Sequence, residues 1–299
     1  MLAFSTNQSG PIMQSSIRPL RSVLYVPAAN EKAMAKSGAL DCDGVVYDLE
    51  DAVAPGAKAQ AREALKAYFD ANPTSGKQRI IRINSGGTEW GAEDFRAAVA
   101  CRPEAILLPK VEHPQTILDA AAELDRLGLD DVQIWAMIET PLAIVNIRDI
   151  ARLGKMAGSR LECFVIGTND LAKETGVPLP LGRSTLKHWL LQVVIHARAF
   201  GLQVLDGVFN DFGDQDGFEA ECAEGAVMGF DGKTLIHPAQ IAVANQAFAP
   251  SPFAIAEAER IVLAYGQPEN ANKGVITIDG KMVERLHLDI ARKTLAKAG

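Results

Sequence analysis

The sequence predicts a (β/α)8 barrel with a C-terminal helical and hairpin extension, and three observations predict it. Short apolar runs of strand length alternate with helix-like segments from Arg21 to Ala249. Acidic and basic residues recur where those runs stop, the face on which such barrels carry their chemistry. The rival is a doubly wound open sheet. Against it, the first strand-to-helix turn reads VPAANE without a GxGxxG, and no GxxxxGKS/T occurs anywhere.

Residues 1–17, MLAFSTNQSGPIMQSSI, have no basic residue ahead of an apolar run, so they are expected to be a disordered tail and not a secretory signal. The barrel is expected over residues 18–249. Its strands read as Ser22–Val26, Gly44–Leu49, Arg79–Ile83, Ala105–Leu108, Gln133–Ile138, Cys163–Ile166, Gln203–Asp206 and Ala226–Phe230. Helical spacing or start signals fall at Glu31–Leu40, Pro55–Phe69, Glu93–Ala100, Pro114–Leu127, Pro141–Leu153, Leu186–Phe200, Asp214–Glu224 and Pro238–Phe248. Several open on proline, which the first turn of a helix tolerates. Residues 250–299 break the alternation: an amphipathic helix, then GVITIDGKMV as a hairpin turning at Asp279-Gly280, then a helix Val283–Lys297. This extension reads as a lid or an oligomerisation arm.

Composition narrows the class. The chain has 299 residues, 48% hydrophobic and 22% charged, enough for a sizeable core. A net charge of −7, with no basic run and no interleaved aromatics, excludes a nucleic-acid binder. No window approaches the roughly 20 apolar residues of a membrane helix. Cys42, Cys101, Cys163 and Cys222 are scattered, as suits free thiols in a reducing cytoplasm and not a zinc site.

The chemistry concentrates in GVVYDLEDAV, where a β-branched run empties into Asp48, Glu50 and Asp51. Carboxylates crowded at a strand end repel one another unless a cation or donors sit among them. Glu139 closes IWAMIETP, Asp170 closes FVIGTNDL and Arg82 closes RIIRIN; Pro27, Asn84, Lys110, Asp206, Lys233 and His237 also fall at or just past strand ends. Carboxylates without nearby histidine or cysteine select a hard cation such as magnesium, which keeps open positions for a substrate. Arg82, fixed on a strand, offers a rigid fork for a carboxylate or an enolate oxygen. His188 and His196 lie on a helix whose stripe is core, His237 reads as a helix cap before Pro238 with a place near a ligand as its alternative, and Trp90 is expected at the pocket mouth with Trp135 and Trp189 in the core.

These stretches, with RSVLYVPAANEKAMAK, VVYDLEDAVAPGAKAQAREAL, IIRINSGGTEW, ILLPKVEH, LDGVFNDFGDQDGF, GKTLIHPAQI and DGKMVERLHLDIARK, resemble the citrate lyase β-subunit family. That group is a branch of the HpcH/HpaI aldolases and includes malyl-CoA and citramalyl-CoA lyases; the resemblance runs from Arg18 to the last helix. It implies a barrel in a homotrimer or hexamer that cleaves or forms a carbon–carbon bond between a 2-oxo acid and the enolate of an acyl-CoA. Position by position it implies Glu139 and Asp170 as Mg2+ ligands and Arg82 as the residue contacting substrate and steadying the enolate oxygen. Glu50 and Asp51 would order water around the metal. Arg21 and Lys58 match basic positions that either face the coenzyme A phosphates or brace the barrel. Glu284 stands where relatives carry an aspartate acting as acid or base in a neighbouring subunit's pocket.

The longer side chain at Glu284 departs from that pattern, as do Leu286 for a proline and Ala28 and Ala143 for glycines. They point to a divergent member whose thioester is unspecified. A coenzyme A-independent 2-oxo acid aldolase and a non-catalytic ligand-binding barrel are the alternatives.

Overall fold

The computed structural model describes residues 19–178 and 183–298, so the expected N-terminal tail lies outside the described residues. Two compact units divide at Phe248/Ala249. The first is a closed barrel of eight parallel strands in sequential order: β1 (Ser22–Pro27), β2 (Gly44–Asp48), β3 (Gln78–Arg82), β4 (Ala105–Leu108), β5 (Gln133–Ile138), β6 (Leu161–Ile166), β7 (Gln203–Asp206) and β8 (Gly232–Leu235), with β8 pairing back to β1. Around it run α1 (Glu31–Ser37), α2 (Lys58–Ala71), α3 (Gly91–Cys101), α4 (Pro114–Arg126), α5 (Pro141–Val145), α6 (Ile147–Ala151), α7 (Thr168–Thr175), α8 (Lys187–Phe200), α9 (Gln215–Met228) and α10 (Ile241–Phe248).

Side chains alternate across each strand, so the apolar residues split into two cores. Val23, Val46, Ile80, Leu107, Trp135, Met137, Val165 and Leu205 fill the barrel, and Leu24, Tyr47, Ile81, Ile106, Phe164 and Val204 face the helices. Trp135 is fully buried and its indole N–H reaches Glu162 Oε2 at 2.9 Å, so the largest inward side chain leaves no polar atom unmet.

Four expectations change. The eighth strand is Gly232–Leu235: Ala226–Phe230 is instead the last turn of α9 and its cap, ended by Gly229 at φ +95°. A short apolar run at a helix end imitates a strand. The segment Pro141–Leu153 is broken at Asn146 into α5 and α6, and α7, absent from the sequence reading, starts at Thr168 and carries Asp170 in its first turn. In the extension the last helix opens at Arg285, because Val283 and Glu284 belong to a strand.

Asp206 and Lys233, expected at the C-terminal face, turn outward towards α9. Lys233 is completely buried, with its ammonium 2.9 Å from Asp206 and 2.7 Å from Glu221. Arg183 reaches Asp206 at 2.6 Å and Glu224 at 2.8 Å. Burying one charge alone is costly, so removing any partner here strands another.

The second unit, residues 249–298, contains α11 (Pro252–Tyr265), β9 (Val275–Ile278), β10 (Lys281–Glu284) and α12 (Arg285–Ala298). Ile278 pairs with Lys281 across Asp279 and Gly280 at φ +48° and +77°, the two-residue turn that an Asp-Gly pair favours. Tyr265, Ile276, Val283 and Leu288 form its own small core.

Closure of the barrel depends on Gly232, where an added Cβ would lie 1.8 Å from the Leu20 carbonyl oxygen. Backbone meets backbone there and neither can yield. Gly232→Ala is expected to cost about 3 kcal/mol by urea unfolding. Gly44→Ala, whose Cβ meets its neighbours at 3.4 Å, should stay within about 1 kcal/mol of the parent.

Candidate active site

The C-terminal end of β2 supplies the first fixed point. Asp48 is 1% exposed, and each of its oxygens accepts two hydrogen bonds. Oδ1 takes the amide of Glu50 at 2.9 Å and Arg82 Nε at 2.7 Å; Oδ2 takes the amide of Ala52 at 3.0 Å and Arg82 Nη2 at 2.6 Å. A bidentate fork of this kind fixes the guanidinium plane. Burial alone would lower the Arg82 pKa, but the Asp48 carboxylate outweighs it and holds the side chain firmly charged. The Tyr25 ring lies against the guanidinium, 4.9 Å from its carbon. The nitrogen that Asp48 does not take, Nη1, lies 3.0 Å from Glu50 Oε2, 3.5 Å from Asp51 Oδ2 and 3.7 Å from Met137 Sδ.

The loop after β2 is pinned from outside. Lys58 donates its ammonium to the carbonyls of Leu49 and Glu50, both at 2.9 Å, and Asn84 Nδ2 donates to Leu49 O at 2.8 Å. Trp90 covers that ammonium at 4.9 Å. Glu50 is therefore held over the barrel while Asp51 is 65% exposed.

Glu139 follows β5 and is 1% exposed. Its Oε1 accepts the backbone amide of Lys110 at 2.7 Å, a contact that needs Lys110 in the left-handed region at φ +49°. Its other oxygen rests on the β6 end: a Cβ at Gly167 would lie 2.4 Å from Oε2, so only glycine makes room. The Lys110 ammonium stands 3.3 Å from Glu50 Oε1 and 3.6 Å from Asp170 Oδ2. Asp170 sits in the first turn of α7, where a negative charge suits the helix dipole.

Five carboxylates, Asp48, Glu50, Asp51, Glu139 and Asp170, thus share two cations, Arg82 and Lys110. Burial and this imbalance raise the carboxyl pKa values of Glu139 and Glu50. Burial, reinforced by the Glu50 charge, pushes the Glu139 carboxyl up to about 7. Burial also raises Glu50, against the pull of Arg82. Glu50 Oε2 is buried and charge-paired with Arg82 yet lies outside hydrogen-bond geometry to any donor.

These features suit a hard divalent cation. The donors are all oxygen, one buried oxygen has no hydrogen bond, negative charge is in excess, and the Gly167 backbone leaves Glu139 Oε2 its space. Among the described residues no three His, Cys, Asp or Glu side chains are grouped as ligands for an ion. Magnesium asks for fewer: it binds through one or two carboxylates and keeps waters for substrate to displace.

The structure brings Glu50, Asp51, Arg82, Glu139 and Asp170 together, and does not bring Arg21 or Lys58 among them. Arg21 precedes β1 at the opposite, N-terminal face, where Nη2 and Nε hold Asp43 at 2.7 and 2.9 Å. The Lys58 ammonium is buried and spent on two carbonyls, the bracing alternative of the two that its position implied. Glu284 ends β10 in the second unit, its amide donating to His287 Nδ1 at 2.9 Å. His237 caps the turn at Pro238 by accepting the Ala239 amide. Sequence reasoning gave no role to Asp48 as the anchor of Arg82, to Tyr25, or to Lys110. The signals were present in DLED, in VLYVP and in LLPK, each at a strand end.

With the geometry in place, comparison identifies relatives. The HpcH/HpaI aldolase/citrate lyase family model matches residues 21–238. A (3S)-malyl-CoA thioesterase of Cereibacter sphaeroides is 44% identical over 286 residues, 96% of this chain and 97% of that protein. Human mitochondrial citramalyl-CoA lyase is 32% identical, covering 94% of this chain and 86% of that one. The solved structure of Mycobacterium tuberculosis CitE in complex with magnesium, acetoacetate and coenzyme A matches with a TM-score of 0.71 at 30% identity, over 94% of this chain and 98% of that one. The chain therefore belongs to the HpcH/HpaI aldolase/citrate lyase family of enzymes.

Proposed function

We propose that this enzyme is a magnesium-dependent carbon–carbon lyase acting on a 3-hydroxyacyl-CoA of the malyl-CoA, citramalyl-CoA or citryl type. Its products would be a 2-oxo acid and an acyl-CoA. The observation that carries the reading is the Arg82 guanidinium, locked by Asp48 with Nη1 left facing the carboxylates at the barrel mouth. Relatives that act on such thioesters, and a structural neighbour holding magnesium and coenzyme A, support it.

Glu139 and Asp170 would hold the ion. Bound there, magnesium supplies Lewis acidity towards the hydroxyl and carboxylate of the substrate. As the carbon–carbon bond breaks, the hydroxyl-bearing carbon becomes the carbonyl of the 2-oxo acid and the bonding pair passes into the thioester enolate. Arg82 Nη1 offsets the charge growing on the enolate oxygen, and Asp48 keeps that donor from turning to follow the ground state. Glu50 and Asp51 order the water that carries away the hydroxyl proton. Glu284 would return a proton to the enolate carbon, and the reverse steps give condensation. Exposed Phe253, Leu263, Met282, Leu286 and Ile290 in the second unit support assembly as a homotrimer or hexamer, in which that unit would meet a neighbour's pocket. No helix among the described residues is long and apolar enough to cross a membrane, and a cytoplasmic location is part of the reading.

Thioester hydrolysis is a second reading, favoured by the relative at 44% identity that is named a thioesterase. The same arginine would then steady the oxyanion of a hydrated thioester carbonyl, and coenzyme A would be released without a 2-oxo acid. A panel of malyl-, citramalyl- and citryl-CoA with magnesium separates the two. Cleavage yields glyoxylate, pyruvate or oxaloacetate, trapped as the phenylhydrazone, with no new free thiol; thiol release alone overturns the lyase reading. Arg82→Lys is expected to lower kcat by about 10²–10³-fold.

Glu139 gives a pH test in chelator-treated protein. Its folded carboxyl keeps a proton up to about 7, against an ordinary value of 4.5. Between those values the native state binds more protons than the unfolded one, so stability falls as pH rises and the loss is complete above pH 7. Relative to the parent, Glu139→Gln should therefore gain on the order of 3 kcal/mol between about pH 5 and about pH 8. Magnesium should stabilise the parent and not the variant, whereas parallel pH profiles would contradict the assignment.

A further inference from the structure

Lys110 has two parts and each touches the acid cluster. Its backbone amide holds Glu139 Oε1 at 2.7 Å, and its ammonium lies 3.3 Å from Glu50 and 3.6 Å from Asp170. The first task needs only the left-handed backbone, which glycine adopts without the strain a lysine bears at φ +49°. The side chain is therefore a separate feature.

The two cations of the cluster are held very differently. Arg82 is bound through two short parallel hydrogen bonds to a fully buried carboxylate and cannot leave without stranding it. The Lys110 ammonium makes two long contacts from a flexible stem and is 36% exposed. It can withdraw into solvent.

We infer that the Lys110 ammonium is a tethered counter-ion that competes with the divalent cation for the charge of Asp170, one of the two carboxylates read as the cation site, and thereby sets how tightly the site binds its metal. The inference rests on reading Glu139 and Asp170 as the cation site. An ammonium 3.6 Å from Asp170 Oδ2 repels a dication held by that carboxylate and neutralises part of the charge that attracts it, so each weakens the hold of the other. With the ion present, the ammonium is displaced to the mouth of the barrel; with it removed, the ammonium limits repulsion among the acids.

The test uses the full chain and magnesium chloride alone. Calorimetric titration without substrate should show Lys110→Met binding magnesium about tenfold more tightly than the parent, with Lys110→Arg close to the parent. In chelator, Lys110→Met should melt at a lower temperature than the parent, and saturating magnesium should close that gap. Equal or weaker magnesium affinity in Lys110→Met, with the parent binding normally, overturns the inference and leaves the site reading standing. Absence of magnesium binding in every protein overturns both. If Lys110→Met fails to fold, Lys110→Gln carries the same expectations, because it too removes the charge.

Discussion

Everything at the barrel mouth is built on the Asp48–Arg82 pair. It joins the ends of β2 and β3, neighbouring strands whose last residues are in register, Asp48 against Arg82. Each oxygen of Asp48 also accepts an amide of the following loop, so one carboxylate fixes the arginine and shapes the chain that carries Glu50 and Asp51. A buried ion pair is weak evidence for stability, because desolvation offsets most of the attraction. Its value here is geometric: Asp48 takes Nε and Nη2, the Tyr25 ring covers the guanidinium face, and the remaining nitrogen is aimed at the acids.

The rest of the site reads as an answer to surplus negative charge. Glu139 and Glu50 are both pushed up by burial, and among the described residues the cations paired with the cluster are an arginine already committed and a lysine loosely placed. Neutralising such a cluster permanently with lysines would remove the electrostatic demand that draws in a dication. Leaving it wholly uncompensated would destabilise the fold. The displaceable Lys110 ammonium inferred above would be a physical compromise between these, and Gly167, which leaves room for Glu139 Oε2, is its steric counterpart.

Much of this was legible in the sequence, for particular reasons. Strand ends are marked where β-branched runs stop, and in a parallel barrel those ends share one face, so Glu50, Arg82, Glu139 and Asp170 converge although up to 120 residues separate them in the chain. The eighth strand was misplaced because Gly232–Leu235 contains a buried lysine and a threonine, and looks less apolar than the helix end before it. Lys233 and Asp206 satisfy one another behind the barrel wall, an arrangement no one-dimensional pattern displays. The same holds for Arg21 and Lys58: spacing shows a positive charge, but only packing shows that one faces the opposite end and the other is consumed by backbone carbonyls.

The central claim is that Glu139 and Asp170 grip one divalent ion beside the Arg82 guanidinium. Anomalous diffraction from crystals grown with manganese, which accepts the same oxygen donors, tests it most directly. The account predicts one strong peak within bonding distance of an oxygen of each carboxylate, with the Lys110 ammonium moved away. A peak elsewhere in the barrel, or none at those two side chains, would contradict it.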